Sequence, residues 1–291
     1  MKGAKVQNKE DGKISRPDIF AYQDYRAFLK AWIEFTKTRS KGFSLRKLAT
    51  QAGVGTGYLS MVLTSKYGIS EKALSKILSI LELNETEKVF LNLLRTLAES
   101  NSHPVRIDAL AKIQKVQSFR KNNPDAIEVI QYLSEWHYVA IREMAALTNF
   151  KNDPRWISRQ LKVHVPQKQI AEALAFLIEK KFIELDNHGR ALFPEKNIQC
   201  FEQIYQVSLR QFHRQMLRLA GEALDHTEID SRHVLGHTVA ISKANYDLAK
   251  TIMEDALKKI AKITKDDRDA ESVYHMIFAA FPLTKLKGVK P

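Results

Sequence analysis

Residues 44–66 read SLRKLATQAGVGTGYLSMVLTSK, and the order of small, apolar and polar positions in this stretch decides how its surroundings are read. Two short helical segments, Ser44 to Gln51 and Thr56 to Thr64, flank Gly53-Val54-Gly55. Ser44 is a helix-starting residue. Ala49 is small enough to sit where two helices cross closely. Gly53 falls at the turn, where a positive φ is cheap only for glycine. Leu48, Ala52, Val54, Leu59, Val62 and Leu63 supply a core-facing side. The other side of the second segment leaves Thr56, Gly57, Ser60, Met61 and Thr64 free. Such a helix-turn-helix would present its second helix to the major groove of a duplex.

Charge agrees with that placement. No Asp or Glu occurs from Phe35 through Ser70, while Lys37, Arg39, Lys41, Arg46, Lys47 and Lys66 do. Cations without anions around a reading helix are the footprint expected of phosphate contact. Thr56 and Met61 can touch a thymine methyl, but neither they nor Gly57 forms the bidentate pairs that discriminate bases best. Phosphate contacts from Arg46, Lys47 and Lys66, with Tyr58 or Ser60 assisting, are therefore better supported than base readout. Specificity would then rest on DNA shape or on the spacing of a dimer.

Outward from this stretch the periodicity stays helical. Tyr25, Phe28, Leu29, Trp32, Ile33 and Phe35 recur at three- and four-residue spacing before it. After it, Ser70 to Leu81 starts at a Ser N-cap, and Asn84-Glu85-Thr86-Glu87 has capping-box spacing ahead of Val89, Phe90, Leu93 and Leu94. Residues 18–98 are thus expected to form a five-helix domain. Residues 1–17, with scattered Lys and Arg and no apolar period, are expected as a flexible basic tail. Pro104 to Phe119 reads as a linker helix within 99–122.

A second domain is expected over 123–198, opening at Asn123-Pro124. Helical segments run to Leu161, and Val165-Pro166 opens another with Ile170, Ala173, Leu174, Leu177 and Ile178 on one face. Phe182 to Leu185, the turn Asp186-Asn187-His188-Gly189 and Arg190 to Phe193 make a hairpin signature. Helices followed by a small hairpin describe a winged helix. Its last helix, Pro166 to Phe182, carries Glu172 and Glu179 beside Lys168, Lys180 and Lys181. That mixture favours packing or protein contact over groove reading. Trp136, Tyr138 and Trp156 lie beside Ile141 and Ile157 and are read as core.

Residues 199–291 are expected as an α/β unit: a helix from Phe201 to Leu224, a strand from His233 to Ile241, a helix from Lys243 to Ile263 N-capped by Ser242, and a strand from Val273 to Phe281. Strand, helix and strand make one βαβ crossover. Two parallel strands are a poor sheet alone, so a homodimer is expected through this unit. The fold class expected is mainly α, with a helix-turn-helix head, a winged-helix-like middle and a βαβ dimerisation unit.

Composition bounds the function. The 291 residues, 44% hydrophobic and 27% charged, are enough to bury real cores. Lys plus Arg is 46 against 33 Asp plus Glu, a net +13 with a pI near 9.6, which favours an anionic partner such as nucleic acid. Cys200 alone excludes an intrachain disulfide. The N-terminus has no apolar stretch of a signal peptide, and no run approaches a membrane helix, so a cytoplasmic protein without membrane contact is expected. No phosphate loop, dinucleotide fingerprint or nucleophile elbow occurs, and eleven glycines leave a phosphate-cradling loop few places. Neither an enzyme nor a cofactor is expected. His233 and His237 have a metal-helix spacing, but in a strand they stand ~13 Å apart, so no metal is expected either.

Residues 44–81, with Leu48-Ala49, Ala52-Gly53-Val54 and Tyr58-Leu59-Ser60, resemble the lambda-repressor-like (xenobiotic-response-element type) helix-turn-helix family. The whole chain further resembles a family of bacterial proteins joining such a head to a C-terminal domain of unknown function. The carrying residues are Ser134 to Glu143, Asp153 to Ile157, Phe212 to Met216 and Phe281-Pro282-Leu283-Thr284. The resemblance implies a transcriptional regulator that binds double-stranded DNA, with a small molecule or protein as effector. The alternative is an interaction scaffold whose helix-turn-helix no longer reads DNA, motivated by Gly57 and Met61 at the reading positions.

Overall fold

The side chains of Asp24, Ser44, Ser70 and Asn84 each accept a hydrogen bond from a backbone N–H of the helix that follows, satisfying donors that would otherwise be orphaned. They start α1 (Tyr25–Arg39), α2 (Leu45–Gln51), α4 (Glu71–Leu78) and α5 (Glu85–Glu99), with α3 (Thr56–Leu63) between α2 and α4. The computed structural model describes residues 9–10, 13–187, 191–192, 202–265, 267 and 269–285. They are mainly helical, with α-helices α1 to α13 against four two-residue strands. They divide into two compact units: 1–132 with 197–210, and 133–196 with 211–291.

In the first unit the five expected helices stand where periodicity places them. Asn84 and Glu87 form a reciprocal capping box. Tyr25, Phe28, Leu29, Trp32 and Ile33 of α1 pack into one core with Leu48, Ala49, Leu59, Val62, Leu74, Ile77, Phe90 and Leu94. The stretch expected as a linker differs. It forms α6 (His103–Lys115) and α7 (Gln117–Asn122), whose Leu110, Ile113 and Phe119 are buried in the same core. The rings of Phe20, Phe90 and Phe119 meet in sequence at tilted angles, with centroids 5.0 and 5.6 Å apart. Asn123, buried, closes this end: its amide donates to the Phe20 and Phe119 carbonyls and accepts from Gln23. α8 (Pro124–Tyr132) adds Ala126 and Ile130, and the start of α12 (Glu202–His226) adds Ile204 and Val207.

Of the expected basic tail, residues 1–8 and 11–12 lie outside the described residues. Lys9–Glu10 and Lys13–Ile14 form the antiparallel strands β1 and β2. Arg16 is fixed, donating to the Glu82 carbonyl (2.7 Å) and to Glu87 (3.0 Å). The capping-box carboxylate supplies the anchor that a reading of the tail alone does not show.

In the second unit α9 (Trp136–Met144), α10 (Pro154–Gln160) and α11 (Gln167–Glu179) lead into β3 (Glu184–Leu185) and β4 (Ala191–Leu192), which pair antiparallel. The turn residues His188 and Gly189 lie outside the described residues. Of the three aromatics read as core, Tyr138 and Trp156 are buried and Trp136 is only half-buried. Tyr138 meets Phe176 edge-on, and Phe176 stacks on Phe182. Gln215 of α12 holds the start of α9: it accepts from the Trp136 N–H (3.0 Å) and donates to the Ser134 carbonyl (2.8 Å). Arg232 donates to the Ala223 and Leu224 carbonyls near the C-terminus of α12, where orphan acceptors collect.

The expected βαβ crossover is corrected here. α13 (Lys243–Thr264) forms, with the Ser242 side chain capping it, but 233–241 and 273–281 form no strands. Among the described residues only β1–β2 and β3–β4 form ladders. A strand requires a neighbour for its N–H and C=O groups, and among the described residues neither run forms a ladder with one. Both remain extended or irregular, and most of their apolar side chains are exposed.

Candidate functional site

The basic stretch folds into α2, a turn and α3. Leu48 and Ala49 of α2 and Leu59 and Val62 of α3 are fully or almost fully buried, so each helix is held by one side only. Gly53 takes φ +58° at the turn, and the Val54 N–H reaches back to the Ala49 carbonyl at 2.9 Å. The glycine there is required by its left-handed backbone. Packing on one side leaves the other to solvent, and the candidate residues lie on that side.

Arg46 and Lys47, in the first turn of α2, are exposed. Thr56, Gly57, Ser60, Met61, Thr64 and Lys66 are exposed along and just beyond α3. A Cβ built on Gly57 would meet nothing within 4 Å, so the N-terminal turn of α3 faces open space. Among the described residues no carboxylate lies within ion-pair distance of Arg46, Lys47 or Lys66. In the same stretch, Lys37 pairs with Glu34 at 2.7 Å and the Arg39 guanidinium lies over the Phe35 ring.

Two expected contacts are already committed elsewhere. The Tyr58 hydroxyl donates to the Gly68 carbonyl and accepts from the Ser70 N–H, both at 3.1 Å. Tyr58 thereby ties α3 to the start of α4. The Thr64 hydroxyl donates to the Ser60 and Met61 carbonyls of its own helix. Ser60, Met61 and the cations keep their outward positions.

Behind α3 stands a network that the sequence reading did not single out. Arg26 of α1, buried, donates through Nε to the Val62 carbonyl at 3.0 Å and pairs with Glu99 at the end of α5. The Tyr25 hydroxyl donates to the same carboxylate at 2.6 Å. Burial, and then the hydrogen bond to Glu99, pushes the Tyr25 phenol far above its ordinary value. A Cβ on Gly68 would run into the Glu99 carboxylate, so glycine there permits the close approach. The one available signal was Arg26 beside the apolar stripe of α1, which spacing alone does not distinguish from a surface cation.

Among the described residues no three His, Cys, Asp or Glu side chains gather as a metal site, and no helix is long and apolar enough to cross a membrane. Residues 109–283 match the family described as "Domain of unknown function (DUF4423)". With well over half of its length matched, the chain belongs to that family. No curated protein and no solved structure matches it. The match begins in α6, after the α2–α3 surface, and covers the carrying residues Ser134 to Glu143 and Phe212 to Met216.

Proposed function

We propose that the chain is a DNA-binding transcriptional regulator, with α2 and α3 forming a helix-turn-helix whose exposed side docks in the major groove. The observation that carries the reading is a one-sided helix pair in a stretch free of carboxylates from Phe35 to Ser70. Its exposed cations Arg46, Lys47 and Lys66 have no carboxylate partner among the described residues. A surface so arranged attracts phosphate and has no internal anion to displace first. Arg46, Lys47 and Lys66 hold backbone phosphates, Ser60 assists them, and Thr56 and Met61 lie against base edges. Tyr58 acts indirectly, by fixing the loop after α3. The winged-helix-like part, α9 to β4, serves packing or protein contact.

Selection of random duplexes by the purified full chain tests the reading. A recovered consensus supports a regulator. Recovery no better than that of a Lys47→Glu/Lys66→Glu variant favours the alternative, a scaffold with a helix-turn-helix fold, to which the side-chain-free Gly57 would suit a flat protein contact.

A further inference from the structure

Between Ile229 and Leu283 lie one amphipathic helix and two apolar runs, and most of their large apolar side chains are exposed. α13 runs for 22 residues and buries none of them. Tyr246, Ala249, Met253, Ala256 and Ile260 line one side of it at half-buried depth. Beside that stripe Leu248 and Ile252 are 60% and 61% exposed. Leu235 in the run before the helix and Phe281 in the run after it are 83% and 71% exposed. Both runs are rich in β-branched and aromatic residues, HVLGHTVAI over 233–241 and VYHMIFAAF over 273–281, the composition of strands. Among the described residues neither has a ladder partner.

We infer that a second copy of this chain covers this segment, the two copies sharing their extended runs as strands of one sheet under the paired α13 helices. Area argues for it. The large apolar side chains exposed between 229 and 283 present on the order of 1,500 Å², against about 800 Å² per partner in a standard stable interface. A surface of that size belongs to a permanent association, and the partner every chain has in equal amount is another copy of itself. Strand arithmetic argues the same way. Two extended runs in one chain make at best a marginal sheet, whereas two copies supply four runs and two covering helices, above the roughly three strands from which a sheet with an apolar face becomes stable. Uncovered, such runs are templates for aggregation. This inference does not rest on the DNA reading: its test contains no nucleic acid, so either can fail alone.

Light-scattering mass of the full chain at micromolar concentration is the first measurement. The expected value is twice the 33.4 kDa chain. Ile252→Asp and Phe281→Asp should halve it, while Val89→Asp, at an exposed site on α5, should leave it unchanged. Hydrogen exchange of the unaltered chain covers the case in which the variants fail to fold. Amides of 233–241 and 273–281 should be protected at high concentration and lose that protection on dilution. A monomer at micromolar concentration overturns the inference, as does rapid exchange in both runs at every concentration.

Discussion

α5 and α13 are both amphipathic helices opened by a side-chain cap, and their fates differ. α5 buries Phe90, Leu91, Leu94 and Leu97 against its own chain, whereas α13 buries nothing. An apolar stripe therefore states that a helix will be covered, and leaves open by what. In the first unit the cover is built from the chain's own elements, α1 to α8 and the start of α12, locked by polar groups such as Arg26 and Asn123. In the segment after α12 most large apolar side chains stay exposed among the described residues.

The largest effect should come from the lock. Arg26→Met leaves the Glu99 carboxylate without its buried partner and should cost about 3–5 kcal/mol in urea unfolding of the first unit. Adding Glu99→Gln should recover part of that loss. A single-variant loss well below 1 kcal/mol would mean that α3 is not held from behind as described.

Next comes a direct pair. Leu48→Ala opens a cavity in a fully packed site and should cost about 2–5 kcal/mol at any protein concentration. Leu235→Ala should leave unfolding of the first unit unchanged and show its cost only as a stronger dependence of melting on protein concentration. Equal, concentration-independent losses would erase the contrast between the two regions.

The second unit offers a smaller effect through pH. His137 is buried, and burial pulls its pKa below the ordinary 6.5. Below pH 6.5 the unfolded chain binds a proton there that the folded chain excludes. The stability is therefore full above that pH and declines as pH falls toward 5. Melting of the second unit followed between pH 5 and 7.5 should show this slope, and His137→Asn should flatten it. The smallest expected change is at Gly57, where a methyl meets open space in a helix. Gly57→Ala should raise the unfolding stability of the first unit by roughly 0.5 kcal/mol, read in urea.

What was legible in the sequence follows from the range of the interactions. Caps and turns are local, so Ser44, Ser70, the Asn84–Glu87 box and the turn at Gly53 were readable from a few residues each. One-sided burial of α2 and α3 follows from their spacing. The packing of α6 and α7 was not legible, because their apolar periods fit a solvent-bridging helix as well as a packed one, and only the fold, which buries Leu110, Ile113 and Phe119 in the core of the first unit, decides between them. Arg26 and Glu99 are 73 residues apart, and nothing local announces their pairing. The runs at 233–241 and 273–281 carried a true β composition, but a strand is a relation between two segments. At the candidate site the cations were legible as charge, while the use of Tyr58 as a tie to Gly68 and Ser70 required the fold.

The most direct test of the account is the salt dependence of duplex binding by the full chain, read by fluorescence anisotropy with mixed-sequence DNA. Affinity should fall steeply as salt rises. Arg46→Glu/Lys66→Glu, melting like the unaltered chain, should reduce the slope of log K against log salt by about 2, close to one per phosphate contact removed. Binding that ignores salt, or a double variant with the unaltered slope, would contradict the claim that the α2–α3 surface sits against a duplex.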